Sequence, residues 1–354
     1  MENKKHLLDL LNKVTQDEPT ETTSASKHSR VLLVDGLNLF FRNFAVLNFT
    51  NDNGTHIGGL GGFLRSLGYL IDTINPTSVY IVFDGVGSTT NRKNLLPEYK
   101  SNRNIQRITN WDGFDNVDDE NDARIDQISR LIHYLHCLPV KTISIDKVEA
   151  DDVISHLSAK FSTEYDSNVF IVSSDKDFTQ LVNDKITLYA AMEKEFYTPQ
   201  KVKEKYNIHP YNFLTYKTLI GDGSDKIPGV KGLGPKKLPK MFPELLGNQT
   251  ITLDDIFEIC EAKYNQHVIY SRIIFEFDKL QNSNKIMDLS NPMLGDQEKD
   301  FILQCIKDSA YSLDIVTFLK LYNQDGLGNV LKNVDFWIRD NWMTIDRYNK
   351  AKNK

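Results

Sequence analysis

VLLVD (31–35), VYIVFD (79–84) and VFIVSSD (169–175) decide the fold of this 354-residue chain. Each is a short apolar run rich in β-branched residues, without the alternation of a half-buried strand, and so reads as a strand covered on both faces. Helical periodicity fills the chain between them. The expectation is an α/β fold with a central, largely parallel sheet flanked by helices. Each run also ends in aspartate: Asp35, Asp84 and Asp175. In open parallel sheets ligands gather beyond the carboxyl ends of the strands, so three such aspartates can converge on one site. A weaker strand is expected near 140–145, followed by a helix opening at VEADDVISHLSAKF (148–161).

The rest of the chain bounds the problem. A hydrophobic content of 40% is ordinary for a globular protein, and no run approaches the roughly 20 apolar residues of a membrane span, so a soluble, cytoplasmic protein is expected. Cys137, Cys260 and Cys305 are far apart and read as core residues of a reducing compartment. The net charge of −6 argues at first against a nucleic-acid partner. Its distribution argues the other way: residues 226–240 carry five lysines and no acid, and 91–107 carry five cations against Glu98. Residues 1–29 stand apart, with Leu7, Leu10, Leu11 and Val14 on one helical face followed by a polar stretch. They read equally as an amphipathic segment on a flexible tether or as a terminal helix packed on its own domain. Residues 86–124 are a long charged insertion whose second half holds Asp112, Asp115, Asp118, Asp119, Glu120 and Asp122. After about residue 250 the chain reads as helical, with no motif.

Nine acids occupy strand ends and helix starts: Asp35, Asp84, Glu149, Asp151, Asp152, Asp175, Asp177, Asp222 and Asp225. One strand-end aspartate is ordinarily a helix cap or turn residue. Repetition at five places weakens that reading, because concentrated carboxylates need cations, and hard oxygen donors select Mg²⁺ or Mn²⁺. Two such ions could activate water on one side of a phosphodiester and stabilise the leaving oxygen on the other. No G-x-S-x-G, H-E-x-x-H or P-loop motif offers another chemistry. In a helix beginning near Glu149, positions 149 and 152 share a face, which makes Glu149 and Asp152 the stronger ligands of that group.

VDGLNLFFR, VFDG, VEADDVI, SSDKDFTQLV and GDGSDKIPGVKGLGPKKL stand in this order across 34–238. Together they resemble the flap endonuclease/5′–3′ exonuclease family, which includes the 5′-nuclease domain of bacterial DNA polymerase I and small phage enzymes, often called RNase H, that remove RNA primers. The resemblance covers about residues 30–250. It implies a PIN-like 5′-nuclease domain at 30–225, a helical arch at about 86–124, and a helix–hairpin–helix-type element with a helical C-terminal region at 226–354. It implies two metal ions held by the nine acids, Arg92, Lys93, Lys100 and Arg103 of the arch beside the scissile phosphate, and a potassium ion at the hairpin. Gly229, Lys231, Gly232, Gly234, Lys236 and Lys237 would hold duplex backbone without reading bases. The implied activity is metal-dependent 5′–3′ exonuclease, flap endonuclease and RNase H-type hydrolysis in phage replication, in the host cytoplasm. The implied partners are branched or nicked duplex DNA and RNA–DNA hybrid. The chain is expected to be a monomer, with a sliding clamp or single-strand-binding protein as candidate partner for residues 1–29.

Two rival readings exist. A non-catalytic branched-DNA-binding factor of the same fold gains nothing from acids beside phosphate. A small-molecule phosphohydrolase, suggested by DKD at 175–177, needs D-x-D at the first strand, and Asp35 is followed by Gly36 and Leu37.

Overall fold

The computed structural model describes residues 30–104 and 108–352, and of Arg103, Asn104 and Lys352 the backbone alone. The stripe at Leu7–Val14 lies outside the described residues. Among those described, six strands form one sheet: β1 (Arg30–Asp35), β2 (Ser78–Asp84), β3 (Lys141–Ile145), β4 (Asn168–Ser173), β5 (Ile186–Ala190) and β6 (Glu195–Tyr197), in the order β3-β2-β1-β4-β5-β6. All neighbours pair in parallel except β5 with β6, which are antiparallel and were not expected from the sequence. Their runs, five and three residues long, are too short to stand out by pattern alone.

The helices are α1 (Gly36–Val46), α2 (Gly58–Ile74), α3 (Thr90–Leu95), α4 (Val117–His136), α5 (Ala150–Thr163), α6 (Pro199–Tyr206) and α7 (Phe213–Ile220), then α8 (Leu238–Met241), α9 (Leu253–Ala262), α10 (Val268–Phe275), α11 (Phe277–Met287), α12 (Asp296–Lys307), α13 (Ile315–Gln324) and α14 (Val334–Lys352). Both faces of the sheet are dry. Leu32, Val34, Ile81 and Val172 point into a core closed by α1, α2, α4, α13 and α14, whereas Val31, Leu33, Val82 and Ile171 point into one closed by α5 and α12. This two-sided burial is why β1, β2 and β4 read as unbroken apolar runs.

The C-terminal third divides among three packing environments. Residues 208–280 form their own helical cluster around Phe213, Leu238, Phe242 and Ile273. Leu289 to Ile306 return to one face of the sheet, and Phe318 to Ile345 to the other. The acidic run 112–122 is the approach to α4 and its first turn. Asn116 caps the helix by accepting from the Asp119 N–H at 2.8 Å, and Asp118, Asp119 and Glu120 occupy the turn where the helix dipole favours negative charge. Glu120 is fully buried and accepts from the Thr109 and Asn110 backbone N–H groups at 3.0 and 2.8 Å. The run therefore closes the far limb of the insertion onto the domain. Within the described part of 86–116, regular structure is limited to α3 and a 3₁₀ turn at Ser101–Asn104.

Candidate metal centre and nucleic-acid interface

The chain runs outward from β1 through β2 to β3 and then crosses back to lay β4 against β1. The crevice at this switch of direction is where a parallel sheet opens at its carboxyl end. Asp35 stands there, its carboxylate accepting from the Asn38 N–H at 3.1 Å and from Ser173 Oγ, at the end of β4, at 3.0 Å. Asn38 Oδ1 in turn accepts from the Ser174 N–H at 2.9 Å, which ties the two strand ends together. On the next strand Asp84 accepts from the Ala150 N–H at 2.7 Å and so fixes the start of α5 beside it.

Burial raises the Asp35 carboxyl to about 7, and repulsion from Asp84 and Asp175 adds to this against the hydrogen bonds that it accepts. Burial likewise raises Asp151 well above the carboxylate range, with Asp175, Asp35 and Glu149 adding repulsion and Lys100 opposing it. Five acids from β1, β2, the α5 start and the β4 end thus share one electrostatic field. A second lobe joins it through Asp175, which caps the 3₁₀ turn Lys176–Leu181 by accepting from the Asp177 N–H at 2.8 Å. Burial, then repulsion from Asp175, raises Asp177 to about 7. Lys217 Nζ lies 2.7 Å from Asp177 and 2.5 Å from Asp222. Burial works against the Asp222 carboxylate, but hydrogen bonds from Lys217 and Ser224 lower it to about 2. Asp225 is buried next to this pair, and its carbonyl accepts from the Lys100 N–H at 3.0 Å.

Among the described residues no group of three or more Asp, Glu, His or Cys is gathered tightly enough to hold a metal as the side chains stand. The donor set nonetheless fits a hard divalent cation. Mutually repelling acids are held at one crevice, and the buried Glu149 Oε1 has no hydrogen-bond partner. Asp152 is placed differently from the sequence expectation. The helix starts at Ala150, so Glu149 is its N-cap and Asp151, at the second helical position, faces the other acids, while Asp152 is turned away. Both oxygens of Asp152 are engaged by Arg92, at 2.6 and 3.0 Å. Asp151 thus faces Asp175, Asp35 and Glu149, whereas Asp152 meets Glu149 through the shared Arg92, whose Nη1 lies 2.6 Å from Asp152 and 3.5 Å from Glu149.

The arch cations separate in the same way. Arg92 is buried, locked on Asp152 and donating from Nε to the Ile286 carbonyl at 3.0 Å, a poor position for meeting a phosphate. Lys100, in the left-handed region at φ 52°, puts Nζ 2.8 Å from Glu149 Oε2 at the edge of the acids. Lys93 is half-buried on α3. The Arg103 side chain lies outside the described residues.

In the hairpin, the three glycines do different things. A methyl at Gly229 would fall 2.2 Å from the Ile220 carbonyl carbon, so this glycine permits two backbone segments to touch. Gly232 has φ +85°, which disfavours any side chain, and Gly234 faces open space. Lys231, Lys236 and Lys240 are exposed and Lys237 half-exposed, while Arg272 of α10 braces the turn through the Lys231 carbonyl. Sequence reading missed Lys217 and Tyr99. Lys217 is a lone cation in the apolar run FLTYKTLI, five residues before Asp222, and that placement was its signal. Tyr99 donates to Glu149 Oε2 at 3.1 Å and carries no signal beyond its place in PEYK.

A protein-family model described as 5′-3′ exonuclease, N-terminal resolvase-like domain, matches residues 30–207. The 5′-3′ exonuclease of Bacillus subtilis is 33% identical over 227 residues, spanning 61% of this chain and 71% of that protein. The 5′-3′ exonuclease of Buchnera aphidicola subsp. Schizaphis graminum is 32% identical over 213 residues, 60% of this chain and 69% of the relative. DNA polymerase I of Bacillus subtilis is 32% identical over 246 residues, which is 68% of this chain but only 26% of the polymerase. In three dimensions the chain is similar to the bacteriophage T5 flap endonuclease solved with DNA and metal ions, with a TM-score of 0.59, 20% identity, and coverage of 88% of this chain and 99% of that one. That likeness supports the fold, a mixed sheet flanked by helices. Since the family model spans half of the sequence and free-standing relatives align over two thirds of their length, the chain belongs to the 5′–3′ exonuclease family.

Proposed function

We propose that this chain is a Mg²⁺-dependent phosphodiesterase that acts as a 5′–3′ exonuclease and flap endonuclease on DNA and RNA–DNA hybrid, and that it removes RNA primers during phage replication. The observation that carries the reading is the convergence of Asp35, Asp84, Glu149, Asp151, Asp175, Asp177 and Asp222 on one crevice, with Lys100 and Lys217 set among them. Two Mg²⁺ ions, for which Mn²⁺ substitutes, would be held by Asp35, Asp84, Glu149 and Asp151 on one side and Asp175, Asp177, Asp222 and Asp225 on the other. When bound they supply activated water and charge neutralisation. The protein's own groups do the rest. Lys100 and Lys93 approach the phosphate from the arch side, and Lys217 bridges Asp177 and Asp222 and offsets the repulsion between them. The hairpin lysines and glycines hold the duplex backbone and, in this reading, a K⁺ ion.

The T5 flap endonuclease was solved with DNA and metal ions, which is in keeping with DNA and metal ions as ligands here. A monomer that meets a sliding clamp or single-strand-binding protein through residues 1–29 completes the proposal, and deletion of those residues reads that part directly. Digestion of 5′-labelled flap, nicked and hybrid substrates, with Mg²⁺ and with EDTA, tests the activity. Cleavage in EDTA, or none in Mg²⁺ on any of the three, would refute it.

A further inference from the structure

Residues 286–293 leave the end of α11 and cross to the start of α12, linking the hairpin-bearing lobe to the sheet. Side chains from three separate parts of the acid site hold this crossing by its backbone. Arg92, from the arch base, donates to the Ile286 carbonyl at 3.0 Å. Gln180, from the 3₁₀ turn that carries Asp177, donates to the Met287 carbonyl and accepts from the Leu289 N–H, each at 3.0 Å. From α5, Ser155 donates to the Leu289 carbonyl and Asp152 accepts from the Met293 N–H at 2.9 Å. Arg92 and Asp152 then close on each other, and Arg92 comes within 3.5 Å of Glu149. Under the crossing Ile286 and Met287 are buried with Tyr99 of the arch base and Ile227 of the Asp222–Asp225 loop. Asn284 of α11 donates to Thr218 of α7 at 3.0 Å, so the crossing is also fixed to the helix carrying Lys217.

We infer that this crossing is a coupling strap, and that Arg92, Asp152 and Gln180 are positioning residues which register the duplex-binding lobe against the carboxylates. The inference rests on the nuclease reading above. A buried ion pair contributes little net stability compared with apolar packing, but it fixes geometry, because either charge alone is costly to bury. Arg92 uses its guanidinium as a planar fork, with Nε on the strap and both terminal nitrogens on Asp152, an arrangement that a lysine, whose donors all sit on one nitrogen, does not reproduce. Groups that orient ligands in this way change metal affinity or rate without touching the ion. Seating of duplex on the hairpin would pull on the same segment that sets the α5 start and the Asp177 turn.

The test compares Arg92→Lys, Asp152→Asn, their double variant and Gln180→Ala in the full chain, with melting temperature recorded for each. Flap cleavage is measured against Mg²⁺ concentration, and duplex binding in Ca²⁺. Each single variant should lower the cleavage rate by about 10–100-fold and raise the Mg²⁺ concentration needed for half-maximal rate, with duplex affinity unchanged. The double variant should be no worse than the poorer single. Multiplicative losses in the double, or a Gln180→Ala protein with wild-type rate and Mg²⁺ midpoint, would overturn the inference. Gln180→Ala keeps it testable if the ion-pair variants do not fold. Failure of the wild-type chain to cleave in Mg²⁺ would instead strike the nuclease reading, and isothermal Mg²⁺ titration of Gln180→Ala against wild type would still decide whether the strap sets metal affinity.

Discussion

Asp35 is held by the fold in a place where its charge is costly. Its carboxyl is raised to about 7, against roughly 4 in an unfolded chain, so between those values the folded state binds the extra proton. The contribution to stability is therefore favourable at low pH and is lost as pH rises through that window. In metal-free protein, Asp35→Asn should flatten the fall in melting temperature between about pH 5 and pH 8, and Mg²⁺ should stabilise wild type more at the upper end of that range than at the lower. A variant that kept the wild-type slope would show that the penalty resides elsewhere. Asp84→Asn gives the complementary prediction: cleavage is lost while duplex binding in Ca²⁺ is retained, since a ligand is removed and the hairpin contacts are not. Full activity in this variant would exclude Asp84 from the centre. At this scale the strand-end aspartates were legible because a buried parallel strand announces its own end. The choice between Asp151 and Asp152 was not, because one residue of uncertainty in where α5 begins rotates a different carboxylate toward the site. Lys217 was hidden for another reason: its role is a pair of contacts with Asp177 and Asp222, and the first of these lies forty residues earlier in the chain.

Elements carry the nucleic-acid argument. Lys236 and Lys237 stand at the entry to α8, one exposed and the other half-exposed, beside the turn at Gly232. Replacing both with alanine should weaken binding to duplex of any sequence and reduce the slope of log affinity against log salt by about one per lysine. An unchanged slope would mean that they face solvent only. Gly229→Ala should act on folding instead, since the methyl would have to part the Ile220 and Gly229 backbones, and the Asp222 loop hangs from that contact. The sequence singles out the glycines and lysines of 229–237, but it does not separate a glycine needed for positive φ from one needed for close approach. The acidic run 112–122 was unreadable as a binding feature because its role is local, in capping α4 and burying Glu120.

At the scale of the molecule, a chain of net charge −6 gathers its strand-end acids at one crevice and carries the exposed Lys231, Lys236 and Lys240 on the lobe of residues 208–280, and the C-terminal helices that carried no motif hold the sheet's outer layer. They could not be read as core from sequence, since an amphipathic helix does not say what covers its apolar face. The other half of that contact is in α2, whose GGLGGFLRSLG looks like a flexible run until its neighbours are seen. Gly61 faces Val330, and a methyl at Gly68 would fall 2.1 Å from the Trp337 indole nitrogen, so the glycines are a groove into which 327–345 packs. Trp342 is fully buried in the same core as Phe63, Leu67 and Phe318. Trp342→Ala should therefore cost about 3–5 kcal/mol, the range for removing a large aromatic from a packed interior. A chain ending at Asp308 should lose far more, because it uncovers the α2 groove and one face of β1 and β2 together. Both are read by thermal or urea unfolding, with flap cleavage measured well below the transition. If the shortened chain melts with the full-length protein, α13 and α14 are an appendage to a nuclease core that is complete without them.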